Sequence, residues 1–134
     1  MAKLLSVCIK EKNTNEIKNI GQVDLIKTGI PNDVHCDGGE RQISILPYEL
    51  IKEVSENVKY GEFGENFVVQ NLDYSKIEVG TTLNIGDASL KVTKIGANCN
   101  TKDEKKKELF SKFIFAKVLV EGIVTEGDDV NILM

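Results

Sequence analysis

The chain has 134 residues, 41% hydrophobic and 28% charged, with 17 basic against 21 acidic side chains and a formal charge of −4. That length fits one domain over 1–134 with a core that needs no disulfide or metal staple, and the composition excludes a disordered chain. Net acidity argues against nucleic-acid or anionic-membrane partners, which require a concentrated basic surface, and no stretch approaches the roughly 20 apolar residues of a membrane helix.

In chain order, Leu5, Val7 and Ile9 alternate with Leu4, Ser6 and Cys8, which predicts a strand with one buried face. The apolar run at the N-terminus is too short for a secretory signal. With three cysteines, an odd number and no C-x-x-C pair, we expect reduced thiols in the cytoplasm. Residues 11–19 are polar and asparagine-rich, an exposed hairpin or loop. Further short strands are expected at 42–46, 66–70, 83–85, 90–95, 116–120 and 130–133. Gly86-Asp87 is placed to make a tight hairpin turn between the third and fourth of these. Two helices interrupt the strands. Pro47 opens the first, with Leu50, Ile51, Val54 and Val58 on one face. Thr101-Lys102-Asp103-Glu104 announces the second as a capping box, with Leu109, Phe110, Phe113 and Ile114 as its apolar side. Lys105-Lys106-Lys107 then reads as a solvated helix face, with Asp103 pairing Lys107. Many short strands with glycine turns predict a mostly β fold, a strongly bent antiparallel barrel with two or so peripheral helices.

Chemistry concentrates in three places. Arg41 is the one arginine and His35 the one histidine, and they share a glycine-bearing loop with Asp33, Cys36 and Asp37. The planar fork of Arg41 suits a phosphate or carboxylate, and His35 suits proton relay or donation to an anion. Asp33, His35, Cys36 and Cys99 are each competent zinc ligands, but their spacing matches no zinc pattern and no metal is expected. Gly61-Glu62-Phe63-Gly64-Glu65-Asn66 is a turn in which Asn66 offers donor and acceptor to a heterocycle edge; read structurally, it is a tight turn that inserts Phe63 into the core. Cys99 falls between a strand and the second helix, where a helix N-terminus would favour its thiolate. Cys8, in mid-strand, reads as a small buried hydrophobe. No nucleophile elbow, P-loop or dinucleotide fingerprint is present.

The order Gly29-Ile30-Pro31-Asn32-Asp33-Val34-His35, Arg41-Gln42-Ile43-Ser44-Ile45-Leu46, Gly61 to Asn66, Leu83-Asn84-Ile85-Gly86-Asp87 and Val92 to Cys99 resembles the MOSC domain. That resemblance implies a bent β-barrel that handles sulfur or binds the molybdopterin (molybdenum) cofactor. It implies a catalytic set of Cys99, His35 and Asp33 and a cofactor-binding set of Arg41, Gln42, Glu65 and Asn66. Asn32 stands where the family usually has glycine and Glu62 where it has aspartate, and no second thiol follows Cys99. The resemblance further implies that sulfur reaches Cys99 as a persulfide from a partner cysteine desulfurase, which carries the pyridoxal phosphate, and passes to molybdenum-cofactor proteins. The alternatives are a molybdenum-dependent reductase of N-hydroxylated compounds and a non-catalytic module for a small anion or protein.

Overall fold

The computed structural model describes residues 1–133. Ten strands and two helices follow in order: β1 (Ala2–Lys10), β2 (Ile17–Asn19), β3 (Gln22–Leu25), β4 (Ile43–Pro47), α1 (Tyr48–Val54), β5 (Phe67–Gln70), β6 (Thr82–Ile85), β7 (Ala88–Ile95), α2 (Glu104–Ser111), β8 (Ile114–Val120), β9 (Gly122–Thr125) and β10 (Asp129–Leu133). Seven strands close a barrel in the order β1-β5-β4-β8-β7-β6-β10, and β10 returns to β1 through Ala2↔Val130 and Lys3↔Asp129. β4 and β5 run parallel; the other pairings are antiparallel. The expected mostly β barrel with peripheral helices is what the chain forms.

β1 departs from simple alternation. Leu4 pairs with Val69 but Ser6 pairs with Val68, so Leu5 is an extra residue bulged out of the ladder. Parity flips there: Leu4, Val7 and Ile9 face the barrel interior while Leu5 packs on the outer cluster. The bulge bends β1 enough to pair with β10, β5 and β2 in turn. All five residues of β4 are buried because α1 and α2 cover its outer side, with Leu46, Val68, Ile51, Leu109 and Phe113 forming a second core. Ile85↔Ala88 leaves Gly86-Asp87 as a two-residue turn, as expected, with Gly86 at φ 55°.

The helix starts differ from expectation. Pro47 ends β4 and stands just before α1 instead of at its first turn. α2 is capped by Asp103, whose Oδ1 accepts from Lys105 N at 3.0 Å and Lys106 N at 3.4 Å. Thr101 instead accepts from Asp103 N at 3.2 Å, two residues too early to cap. With the Asp103 carboxylate engaged in capping, Lys107 pairs with Glu104 at 3.7 Å. Residues 11–19 do form an exposed hairpin, closed by Glu11 N donating to Glu16 O. β3 and β9 form a separate ribbon that contributes Leu25 and Val124 to the barrel core. No helix is long and apolar enough to cross a membrane, among the described residues.

Candidate functional site

Asp33 organises the loop between β3 and β4. Its carboxylate is 1% exposed. Oδ1 accepts from Lys10 N at 2.9 Å and Asn66 Nδ2 at 3.2 Å, and Oδ2 accepts from His35 N at 3.0 Å. The loop is therefore turned, not extended, at this point, and Asp33 ties it to β1 and to the start of β5. His35 is carried outward, its side chain 60% exposed, with Nδ1 3.8 Å from Asp33 Oδ2.

Asn66 is held from every side. Its Oδ1 accepts from Ser44 N at 2.9 Å and lies 3.1 Å from Ser44 Oγ; its Nδ2 donates to Cys8 O at 3.0 Å as well as to Asp33. Glu65, 2% exposed, takes Gly61 N at 2.6 Å on Oε2 and Phe63 N at 3.1 Å on Oε1, so it pins the glycine turn from inside. Burial pushes the Glu65 carboxyl above its ordinary value despite those two donors, with Glu62 adding to the rise. Gln42, 3% exposed, accepts Val118 N at 2.9 Å and lengthens the β4–β8 ladder through its side chain. The carboxylates of Asp33 and Glu65, the Asn66 amide and Gln42 Oε1 thus bond to the protein itself and hold its loops and strands in place.

Arg41 and His35 do reach a cleft. With Ser44, Phe63, Gly64, Ala97 and three more phenylalanines they line a space of about 240 Å³. The Arg41 guanidinium sits 5.1 Å from the Phe115 ring centroid, a cation–π contact. Among the described residues no carboxylate lies within ion-pair distance of it; neighbouring Glu40 pairs with Lys117 at 3.5 Å. The ring series continues from Phe115 to Phe113, stacked at 5.5 Å, then edge-on to Phe110 at 5.3 Å and on to Phe63 at 6.1 Å.

Cys99 lies on the far side of that last pair. It lines a second cleft of about 390 Å³ with Glu62, Asn100, Thr101 and Lys106, and the same Phe63 and Phe110 wall both spaces. Cys99, Arg41 and His35 are thus brought to adjoining clefts divided by an aromatic edge. The thiol stands upstream of α2, and the first free N–H groups of that helix point to Asp103, so the nearby cation is Lys106 and not the helix terminus. Cys36 lines neither cleft; its Sγ lies 3.3 Å from Thr28 Oγ1. Cys8 is sealed, and burial, then the Glu65 charge, pushes its thiol up to about 11. Sequence reasoning assigned Phe110 and Phe113 to a helix face and Lys106 to solvent, and so missed the walls of the site. The glycine spacing around Phe63 was the signal that a ring is presented there: Gly61 and Gly64 both adopt positive φ, 89° and 85°.

The family model for the MOSC domain matches residues 32–131. The chain belongs to the MOSC domain family. Its fold is similar to YUAD protein from Bacillus subtilis, at 19% identity and TM-score 0.78, covering 98% of this chain and 96% of that one. It is also similar to YiiM from Geobacillus stearothermophilus, at 18% identity and TM-score 0.74, covering 100% of this chain and 76% of that one. YiiM from Escherichia coli matches at 18% identity and TM-score 0.71, over 100% and 70% respectively. No functionally curated protein matches the sequence. MOSC domains are associated with molybdenum-cofactor-related proteins.

Proposed function

We propose that this MOSC domain is a sulfur carrier in molybdenum-cofactor metabolism, in which the Cys99 thiolate accepts sulfane sulfur as a persulfide and hands it on. The observation that carries the reading is the placement of Cys99, half-buried, in an open cleft that shares Phe63 and Phe110 with the cleft of Arg41 and His35. A thiolate attacks the outer sulfur of a donor persulfide; the new S–S bond forms as the donor leaves as a thiolate, and no outside oxidant is needed. Cys8 cannot serve, since it is buried and its thiol is held protonated.

The side chains fit the molybdenum cofactor by type. The Arg41 guanidinium, without a carboxylate partner among the described residues, suits an anionic phosphate; the phenylalanine faces suit a heterocycle; and a thiolate is a soft ligand for molybdenum. If bound, that group would supply a metal centre able to take a terminal sulfur ligand. Asp33, Asn66 and Glu65 support the reading by fixing the two loops from which His35 and Phe63 project.

Incubation with a cysteine desulfurase and cysteine is expected to add one sulfur, about 32 Da, to the Cys99 peptide and not to Cys8. Cys99→Ser should abolish the gain. An unlabelled Cys99 under conditions that load another carrier overturns the proposal, and stoichiometric molybdenum in that same preparation would move the reading to a reductase.

A further inference from the structure

The cleft around Cys99 carries two opposite charges that do not neutralise each other. Glu62 enters it from the glycine-hinged turn and Lys106 from the first turn of α2. Among the described residues five of the sixteen lysines pair with carboxylates, Lys18 with Glu11 at 2.7 Å and Lys107 with Glu104 at 3.7 Å among them, and Lys106 is one of those that do not. Among the described residues, neither Lys106 nor Glu62 has an oppositely charged group within 4.0 Å. The space between them, about 390 Å³, lies in the range of small-ligand pockets and readily holds a molecule of amino-acid size. Thr101 also lines the cleft, and Phe63 is shared with the cleft of Arg41.

Resting on the reading of Cys99 as a sulfur acceptor, we infer that this cleft takes a small zwitterionic sulfur compound of the α-amino-acid class, with Lys106 holding its carboxylate, Glu62 its ammonium, and Cys99 meeting its sulfur. A low-molecular-weight persulfide R–S–SH then transfers its outer sulfur in one displacement. The Cys99 thiolate forms a bond to that sulfur, the S–S bond of the donor breaks, R–S⁻ departs with the bonding pair, and the persulfide proton stays with the transferred sulfur. Charge and electrons balance without a further reactant. Lys106 and Glu62 act as specificity determinants, choosing which sulfur compounds linger beside the thiol.

Symmetric disulfides provide stable probes, because attack of the thiolate leaves a mixed disulfide on Cys99 and releases one thiolate. The full chain is treated at low salt with cystine, which carries both charges, cystamine, which carries only the ammonium, and 3,3′-dithiodipropionate, which carries only the carboxylate. Mass spectrometry follows the Cys99 peptide. Lys106→Gln should slow dithiodipropionate and cystine about threefold relative to cystamine, the size expected of exposed charge pairs. Glu62→Gln should slow cystamine and cystine by a similar factor while dithiodipropionate does not slow. Lys106→Arg should restore the wild-type pattern, and Lys105→Gln, which changes net charge equally but lies outside the cleft, should leave it unchanged. All three probes moving together in either variant, or Lys105→Gln reproducing Lys106→Gln, overturns the inference. Charge-blind labelling of Cys99 in every variant removes the zwitterion pocket but keeps the sulfur acceptor. A Cys99 that takes neither the probes nor desulfurase sulfur removes both.

Discussion

Replacing Asp33 tests whether it is scaffold or chemistry. Asp33→Ala deletes the acceptor of three donors: Lys10 N, His35 N and Asn66 Nδ2. Hydrogen bonds to a charged group are worth about 1.5–3 kcal/mol each, so the simple sum is about 4.5–9 kcal/mol. The true loss is smaller, because the backbone N–H groups of Lys10 and His35 belong to exposed residues and recover water when the loop relaxes. The Asn66 amide cannot, being 4% exposed and fixed by Ser44 and Cys8. We therefore expect a destabilisation of about 3–5 kcal/mol, a large share of the 5–15 kcal/mol usual for a domain, read as a lowered urea midpoint at constant slope. Asp33→Asn keeps the shape and one acceptor but turns an NH₂ toward a donor, and should cost about 2–3 kcal/mol. Sulfur loading of Cys99 by Asp33→Asn, measured well below its unfolding transition, should stay within a few-fold of wild type. A variant as stable as wild type but unable to load would refute the scaffold reasoning and make Asp33 a participant.

Counting thiols with a chromogenic disulfide reagent should find Cys36 and Cys99 in the native protein and Cys8 only after denaturation, since Cys8 is 1% exposed with its thiol pushed up to about 11; a rapid third equivalent in native buffer counts against the sealed strand. Glu65 has a carboxyl raised above its ordinary 4.5 by burial, so its ionisation opposes the native state: its contribution is most favourable below 4.5 and declines as pH climbs through the raised value. The stability of Glu65→Gln relative to wild type should accordingly improve as pH rises over that window in parallel urea titrations, and an opposite slope would refute the assignment. Gly86→Ala places a Cβ 2.6 Å from Ile123 O in a residue with φ 55°, and should lower stability by about 2 kcal/mol in a thermal melt while sulfur loading at low temperature is retained.

Alternation and turn chemistry made most of the barrel legible. β6 and β7 follow from apolar runs around Gly86-Asp87, and β8 from residues that alternate between the core and a covered face. β3 and β9 were not, because Gln22–Leu25 and Gly122–Thr125 are short and largely exposed and exist through pairing with each other across the chain. The bulge at Leu5 also left no mark in composition; a strand that alternates perfectly on paper changes parity where the barrel must bend. Around the two clefts, motif order pointed to the loops of His35 and Phe63 but not to which of their side chains face out. Asp33, Glu65, Gln42 and Asn66 are polar, and nothing in the residue type distinguishes an acceptor for a ligand from an acceptor for a neighbouring N–H. Conversely Lys106 looked like one of three equivalent surface lysines until α2 was docked beside the turn bearing Glu62.

The seam between β1 and β10 joins Ala2 and Lys3 to Val130 and Asp129, nearly the whole length of the chain apart. The seam therefore cannot close during synthesis until Asp129 and Val130 have emerged, and until then the rims that it joins have no partner and can associate with other nascent chains. A cell that slows translation late, or binds those rims with a holdase, would govern how much of this protein ever matures, whatever the thermodynamic balance of the finished molecule.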